Sequence, residues 1–219
     1  MAMWRYPAML AVLLALPPCV HADRTIAYAV DPARTRVEFT AEGSGFFTPT
    51  ATFSGITGSI HGNLDHPERS SVEVRIPVES LRSRTPMMRR WLIESGDFFQ
   101  VGRFPVMTFR GSSLRAIDRQ QGTFQLAGDL TVNGIRRAVV LDARLQGQPM
   151  QMFRDGSRRT GFSATTQISR ADYGMGRHIP LVGDLLTVQI TLEAVRTSAY
   201  HPEATRNPAA ASRPGARVP

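Results

Sequence analysis

Four histidines (His61, His66, His178 and His201) and two isolated acids (Asp172 and Asp184) are the side chains in the body of this sequence best suited by type to acid–base or metal chemistry. Their spacing assembles no recognised site. His61 and His66 lie five residues apart across a strand end, which matches no zinc spacing, and the other ligands of such a site are missing. Gly58-Ser59-Ile60-His61-Gly62 imitates the G-x-S-x-G turn of serine hydrolases only loosely, and a triad also needs a histidine oriented by a carboxylate. Gly174-Met175-Gly176 lacks the third glycine and the strand–helix setting of a nucleotide loop. Asp172 and Asp184 read as turn formers. The expectation is no catalytic residue, no metal and no cofactor. A hydrolase using His61 or His178 is the alternative that histidine substitution would expose.

The first residues read as a targeting segment. Arg5, the apolar run Ala8 to Leu16, the Pro17-Pro18 break and Val20-His21-Ala22 form the pattern of an export signal cleaved after Ala22. The run is short of the roughly 20 apolar residues that span a bilayer. Pro17-Pro18 before Cys19 also replaces the small residues that lipoprotein processing wants. Cleavage would send residues 23–219 to a periplasm-like compartment and remove the only cysteine. Disulfides, metal thiolates and a thiol nucleophile are then excluded. All 26 basic residues are arginine, and without Arg5 the mature chain holds 25 against 18 acids, a net charge of +7. These arginines fall in short pairs, such as Arg89-Arg90 and Arg136-Arg137, with no long run. A solvated surface explains that charge most simply, and transient contact with an anionic membrane is the functional alternative. No nucleic-acid motif is present, so nucleic acid is not an expected partner.

The elements that must position any site are strands. Phe124 to Leu145 reads as a hairpin about Asn133-Gly134, the pair that best tolerates φ > 0 at both central positions of a type I′ turn. Closing the turn there pairs Gly128 with Val139, Leu126 with Leu141 and Phe124 with Ala143 on one apolar face. Gln125–Asp142 and Thr131–Arg136 fall on the polar face. Leu130 opposite Arg137 fits poorly. Alternating residues mark further strands at Thr25 to Val30, Val37 to Ala41, Phe53 to Leu64, Val72 to Val78, Met107–Phe109, Phe162 to Ile168 and Leu186 to Ala194. Eight or nine strands at this spacing predict an all-β barrel or sandwich in one domain, residues 23–196. One short helix interrupts them: Thr85 suits its cap, Pro86 its first turn and Gly96 its end. Trp91 on that helix is more simply a core plug than a binding residue. Residues 197–219 hold mainly Ala, Pro and Arg and read as a disordered tail.

An eight-stranded barrel can be filled by side chains or can hold one ligand. Small inward residues (Ala41, Gly58, Gly62, Gly128, Ala143, Ala164, Thr166) stand beside Phe39, Phe109, Phe124 and Phe162. They signify either a cavity or room for the sheet to coil at glycines, and pattern alone leaves both open.

Ser95-Gly96-Asp97-Phe98-Phe99, Arg103-Phe104-Pro105, Thr108-Phe109 and Gly128-Asp129-Leu130-Thr131-Val132-Asn133-Gly134 follow one another in an order that resembles the YceI-like family, exported lipocalin-like barrels that bind polyisoprenoids. Tyr28-Ala29-Val30-Asp31, Arg170-Ala171-Asp172-Tyr173-Gly174 and Val188 to Glu193 fit as well, so the resemblance spans about Ile26 to Val195. Family members often carry His-Leu before the Ser-x-Asp-Phe segment, where this chain has Leu92-Ile93 after Trp91. The resemblance implies an extended antiparallel eight-stranded lipocalin-like β-barrel whose apolar tunnel holds an isoprenoid chain or similar lipid, without catalysis. Joined to the inward registers, it gives an expected ligand-contacting set. The first half supplies Phe39, Ile56, Ile60, Val74, Ile76, Trp91 and Phe109. The hairpin supplies Phe124, Leu126, Gly128, Leu130, Val139 and Leu141. Phe162, Ala164, Ile168, Val188 and Ile190 complete it. A filled, ligand-free structural or interaction module is the rival reading, and a second copy of the chain is a further candidate partner.

Overall fold

The computed structural model describes residues 25–43, 49–63, 65–152, 158–179 and 182–200; the expected leader and residues 201–219 of the expected tail lie outside them. Eleven strand segments follow one another: β1 (Thr25–Val30), β2 (Arg36–Gly43), β3 (Thr50–Phe53), β4 (Thr57–Asn63), β5 (Ser71–Pro77), β6 (Arg82–Ser83), β7 (Val106–Asp118), β8 (Thr123–Val132), β9 (Ile135–Met152), β10 (Arg158–Ser169) and β11 (Val182–Tyr200). The single α-helix, α1 (Pro86–Glu94), lies between β6 and β7.

These segments make a closed eight-stranded barrel. Pairing runs β1-β4-β5-β7-β8-β9-β10-β11 and returns to β1, antiparallel throughout. β2, β3 and β6 prolong β1, β4 and β5 in line. Thus β11 pairs first with β2 (Ile190↔Val37) and farther along with β1 (Val195↔Ala29). The breaks between collinear segments fall at residues 31–35, 54–56 and the 3-10 turn Val78–Ser80. They lie side by side across the sheet, and such interruptions let a sheet bend far enough to close. Alternation predicted one strand from Phe53 to Leu64. The structure breaks it at Ser54–Ile56, where Gly55 takes φ +63. β11 also runs to Tyr200, pairing Thr25 with Tyr200, so the last strand passes the expected boundary at residue 196.

The hairpin register is the one read from the sequence, with Gly128↔Val139, Leu126↔Leu141, Phe124↔Ala143 and Leu130↔Arg137 all paired. The awkward last pair is accommodated because Leu130 lines the interior while Arg137 stays exposed. Asn133 of the turn is buried. Asn133 (φ 49) donates from Nδ2 to the carbonyls of Phe98 (2.7 Å) and Tyr173 (3.3 Å) and accepts from the Gln100 amide (3.2 Å). Gly134 packs so close to the Phe104 ring that a Cβ would sit 2.6 Å from it. The Asn-Gly pair is therefore also a bolt between three segments. Asn133→Gly should keep the turn geometry yet lose these hydrogen bonds. The expected cost is about 1–3 kcal/mol, read as a lowered urea midpoint at unchanged slope.

One end of the barrel is closed by α1 and the segments beside it. Thr85 caps the helix by accepting from the Met88 amide at 3.1 Å, with Pro86 in the first turn and Gly96 (φ 72) just past the end. Arg89 pins the helix to the wall through the carbonyls of Leu81 (2.9 Å) and Glu79 (3.0 Å). Leu92 and Ile93 are buried beneath it with Phe98 and Phe99.

Candidate functional site

The barrel interior encloses a cavity of about 570 Å³. Alternation supplies its wall: side chains along each strand alternate between faces, and the inward positions are mostly Ile, Leu, Val and Phe. Sixteen of the eighteen expected contact residues line it. The two exceptions have clear physical causes. Trp91 lies beyond the floor, edge-on to Phe98 (4.6 Å) and beside His178 (5.4 Å). Gly128 pairs with Gly111 where β7 and β8 approach so closely that a Cβ would come within 2.4 Å of the Arg110 carbonyl oxygen. Gly58 repeats this against the Glu73 carbonyl at 2.2 Å. Those glycines provide close strand approach, while Gly62, Ala143, Ala164 and Thr166 do border open space. Ala41 belongs to a separate small void under the floor.

Other lining residues come from outside the strong alternating runs. Phe99 and Met175 reach the interior from the closing segments, and Ile117, Asp118 and Arg119 reach it from the end of β7 and the turn after it at the open end. Phe99 could be suspected from the Asp97-Phe98-Phe99 motif; Met175, between two glycines, carried no periodic signal. The Phe39, Phe53 and Phe99 rings meet at 5.4–5.9 Å and close the bottom of the cavity.

Beneath them Arg170 organises the closing loop. It is 1% exposed. Its guanidinium donates to the carbonyls of Gly183 (2.8 Å), Arg177 (2.8 Å), Val182 (2.6 Å) and Met175, and lies 5.6 Å from the Phe98 ring. Burial lowers its pKa, opposed by nearby Asp184, yet a guanidinium stays charged in any folded protein. Asp184 is more than an isolated turn former. It accepts from Ser169 Oγ (2.7 Å) and the Ala171 amide (2.9 Å), and these bonds hold its carboxyl below the usual range. Asp172 is exposed. His178 (φ 64) and Arg177 both meet Asp97, at 3.0 and 3.2 Å, latching the loop to the segment after α1. His61 is exposed on β4, and His66 meets Glu68 at 3.2 Å. Among the described residues no three His, Cys, Asp or Glu side chains gather as metal ligands, and no helix is long and apolar enough to cross a membrane.

Tyr173 is 1% exposed and its hydroxyl has no hydrogen-bond partner among the described residues. Burial, reinforced by nearby Asp172, pushes its pKa up to about 12. The neutral phenol is the form the fold favours. Its contribution to stability is therefore complete below the unfolded value of about 10 and is lost as pH rises toward 12. Tyr173→Phe should shrink that alkaline loss and raise stability at neutral pH by up to about 1 kcal/mol, because an unpaired hydroxyl leaves the core. Thermal melts of both proteins from neutral to alkaline pH check this, with phenolate absorbance reporting the late-titrating group.

A closed eight-stranded antiparallel barrel around a deep apolar interior defines a lipocalin-like β-barrel. The chain belongs to the YceI-like family: the YceI-like domain matches residues 28–194. Curated relatives include a UPF0312 protein of Azotobacter vinelandii, 28% identical over 160 residues, which is 73% of this chain and 81% of that one. Another, from Vibrio vulnificus, is 27% identical over 185 residues, 84% of this chain and 92% of that one. Among solved structures, Burkholderia cenocepacia BcnA matches with a TM-score of 0.64 at 17% identity, covering 75% of this chain and 98% of its own. A polyisoprenoid binding domain from Saccharophagus degradans, implicated in plant cell wall breakdown, matches at 0.56 and 14% identity, covering 78% and 99%. These two structures share the fold.

Proposed function

We propose that this protein is a non-enzymatic carrier or store for a polyisoprenoid or similar long apolar lipid, exported to a periplasm-like compartment. The observation that carries the reading is the cavity, about 570 Å³ and walled by apolar side chains. A solidly packed structural module would leave no such space. An engineered apolar cavity of about 150 Å³ takes one benzene ring, and in that proportion 570 Å³ holds roughly 20 carbons. At about 0.8 kcal/mol per buried methylene, that is roughly 16 kcal/mol gross. Association and ordering costs of about 4–15 kcal/mol offset much of it. The double bonds of an isoprenoid reduce the ordering cost, since they leave fewer rotamers to lose. The net charge of +7 expected after leader removal would favour encounter with anionic membranes.

Purified protein from the native cell envelope should release a long-chain isoprenoid on organic extraction, identified by mass spectrometry. Its intact mass should begin at Asp23. Clean extracts, together with no uptake of prenols by the delipidated protein, would favour the filled-module reading. A mass retaining Met1 to Ala22, or a lipid on Cys19, would overturn the export proposal.

A further inference from the structure

Most polar groups of the cavity gather at one end. Asn63, Ser70, Asp118, Arg119, Thr123 and Thr160 sit at strand ends or turns around the opening. Tyr28, Thr35 and Thr166 also line it, and both threonines spend their hydroxyls on backbone: Thr35 donates to the Glu193 carbonyl and Thr166 to that of Val140. The opposite end is apolar and capped, so the space is a sock with a wet cuff. It suits a molecule with a single polar head and one long apolar tail, inserted tail first. Buried polar heads at the closed end would find no partner there.

Two side chains form the toe of that sock. Phe39 and Leu186 line both the cavity and a void of about 20 Å³ beneath it, but they belong to the strands and form its walls. Phe99 and Met175 also line both spaces and come from the closing segments, so they stand between them. The Phe99 ring is held edge-on by Phe39 (5.9 Å) and Phe53 (5.4 Å). Met175 is fixed on the other side because its carbonyl is one of those that Arg170 holds. A chain end reaching this point meets packed side chains rather than solvent.

Resting on the lipid-binding reading, we propose that the ligand lies head-outward and that Phe99 and Met175 are the residues that set the length of tail the barrel accepts. Removing the Phe99 ring joins the void to the cavity. Since a ring-sized apolar space holds about six carbons, the accepted tail should lengthen by about one isoprene unit.

The test offers delipidated parent, Phe99→Ala and Met175→Ala proteins an equimolar ladder of linear prenols, each one isoprene unit longer than the last. The bound lipids are then extracted and quantified by mass spectrometry. Val78→Ala is the control, because Val78 is 1% exposed yet lines neither space. The expected result is a shift of the preferred length upward in Phe99→Ala and a smaller one in Met175→Ala, with Val78→Ala matching the parent. Met175→Ala alone decides the matter should Phe99→Ala fail to fold. A parent that binds prenols and variants that share its length profile would overturn the floor while leaving lipid binding intact. The same shift in Val78→Ala would mean general loosening and would also overturn it. A parent that takes up no prenol of any length overturns the binding reading, and the floor with it.

Discussion

Arg170→Ala should open the floor of the barrel and cost about 3–5 kcal/mol, the range for breaking a buried charged network. Four backbone carbonyls, those of Met175, Arg177, Val182 and Gly183, lose their donor at once. Each buried carbonyl left unpaired costs about 1–3 kcal/mol, so even with water reaching some of them the loss is large. The loop carrying Met175 would no longer be held against the cavity. Arg170→Lys should recover only a part, because an ammonium has three donors at one point where the planar guanidinium reaches carbonyls on several sides. Urea unfolding of the three proteins reads the effect. An unfolding free energy for Arg170→Ala within about 1 kcal/mol of the parent would show that the loop is held by its other contacts.

The second large effect is on binding. Ala164 is buried, faces the cavity, and pairs with Ile190 and Ala143 on its neighbours. A phenylalanine there occupies space that the lipid would fill, so Ala164→Phe should fold with near-parental apo stability and copurify with at least tenfold less lipid, a loss of about 1.4 kcal/mol or more. Gly128→Ala should do the reverse. Its single added carbon would fall 2.4 Å from the Arg110 oxygen and 2.7 Å from the Gly111 Cα, forcing β7 and β8 apart. Overpacking of this kind costs about 1–3 kcal/mol, or more where backbone is struck. Both are measured on delipidated protein, because bound ligand itself raises the apparent melting temperature. Parental lipid content in Ala164→Phe would mean the chain does not reach that part of the interior. Parental stability in Gly128→Ala would mean the two strands separate freely.

The contrast between Ala164 and Gly128 shows where sequence reading stopped. Both sit at inward positions of apolar strands, and both are small. Alternation assigns them the same face for a local reason, the two-residue period of the strand. Whether a small residue borders a void or a neighbouring backbone depends on how far apart the strands run at that level. Strand alternation, the Asn133-Gly134 turn and its register, and the Thr85, Pro86 and Gly96 helix signals were legible because each follows from backbone geometry within a few residues.

Other features had no local signature. Breaks at residues 31–35, 54–56 and Val78–Ser80 fall beside one another only once the sheet has closed, so the run Phe53 to Leu64 read as one strand. Trp91 sits on the correct helix, but α1 packs on the outer side of Phe98 and Phe99, and this keeps it from the cavity. Nothing near Arg170 in the sequence announces that its charge will be buried among carbonyls of the residues that follow. By itself, then, the sequence determined most of the strands, the hairpin, the helix caps and which face of a strand turns inward, since these are set by short-range backbone periodicity. The tertiary structure alone decided that the interior is hollow, where its floor lies and which arginine holds that floor. Those depend on the distances between strands and loops far apart in the chain, and a cavity is a property of such distances rather than of any one residue.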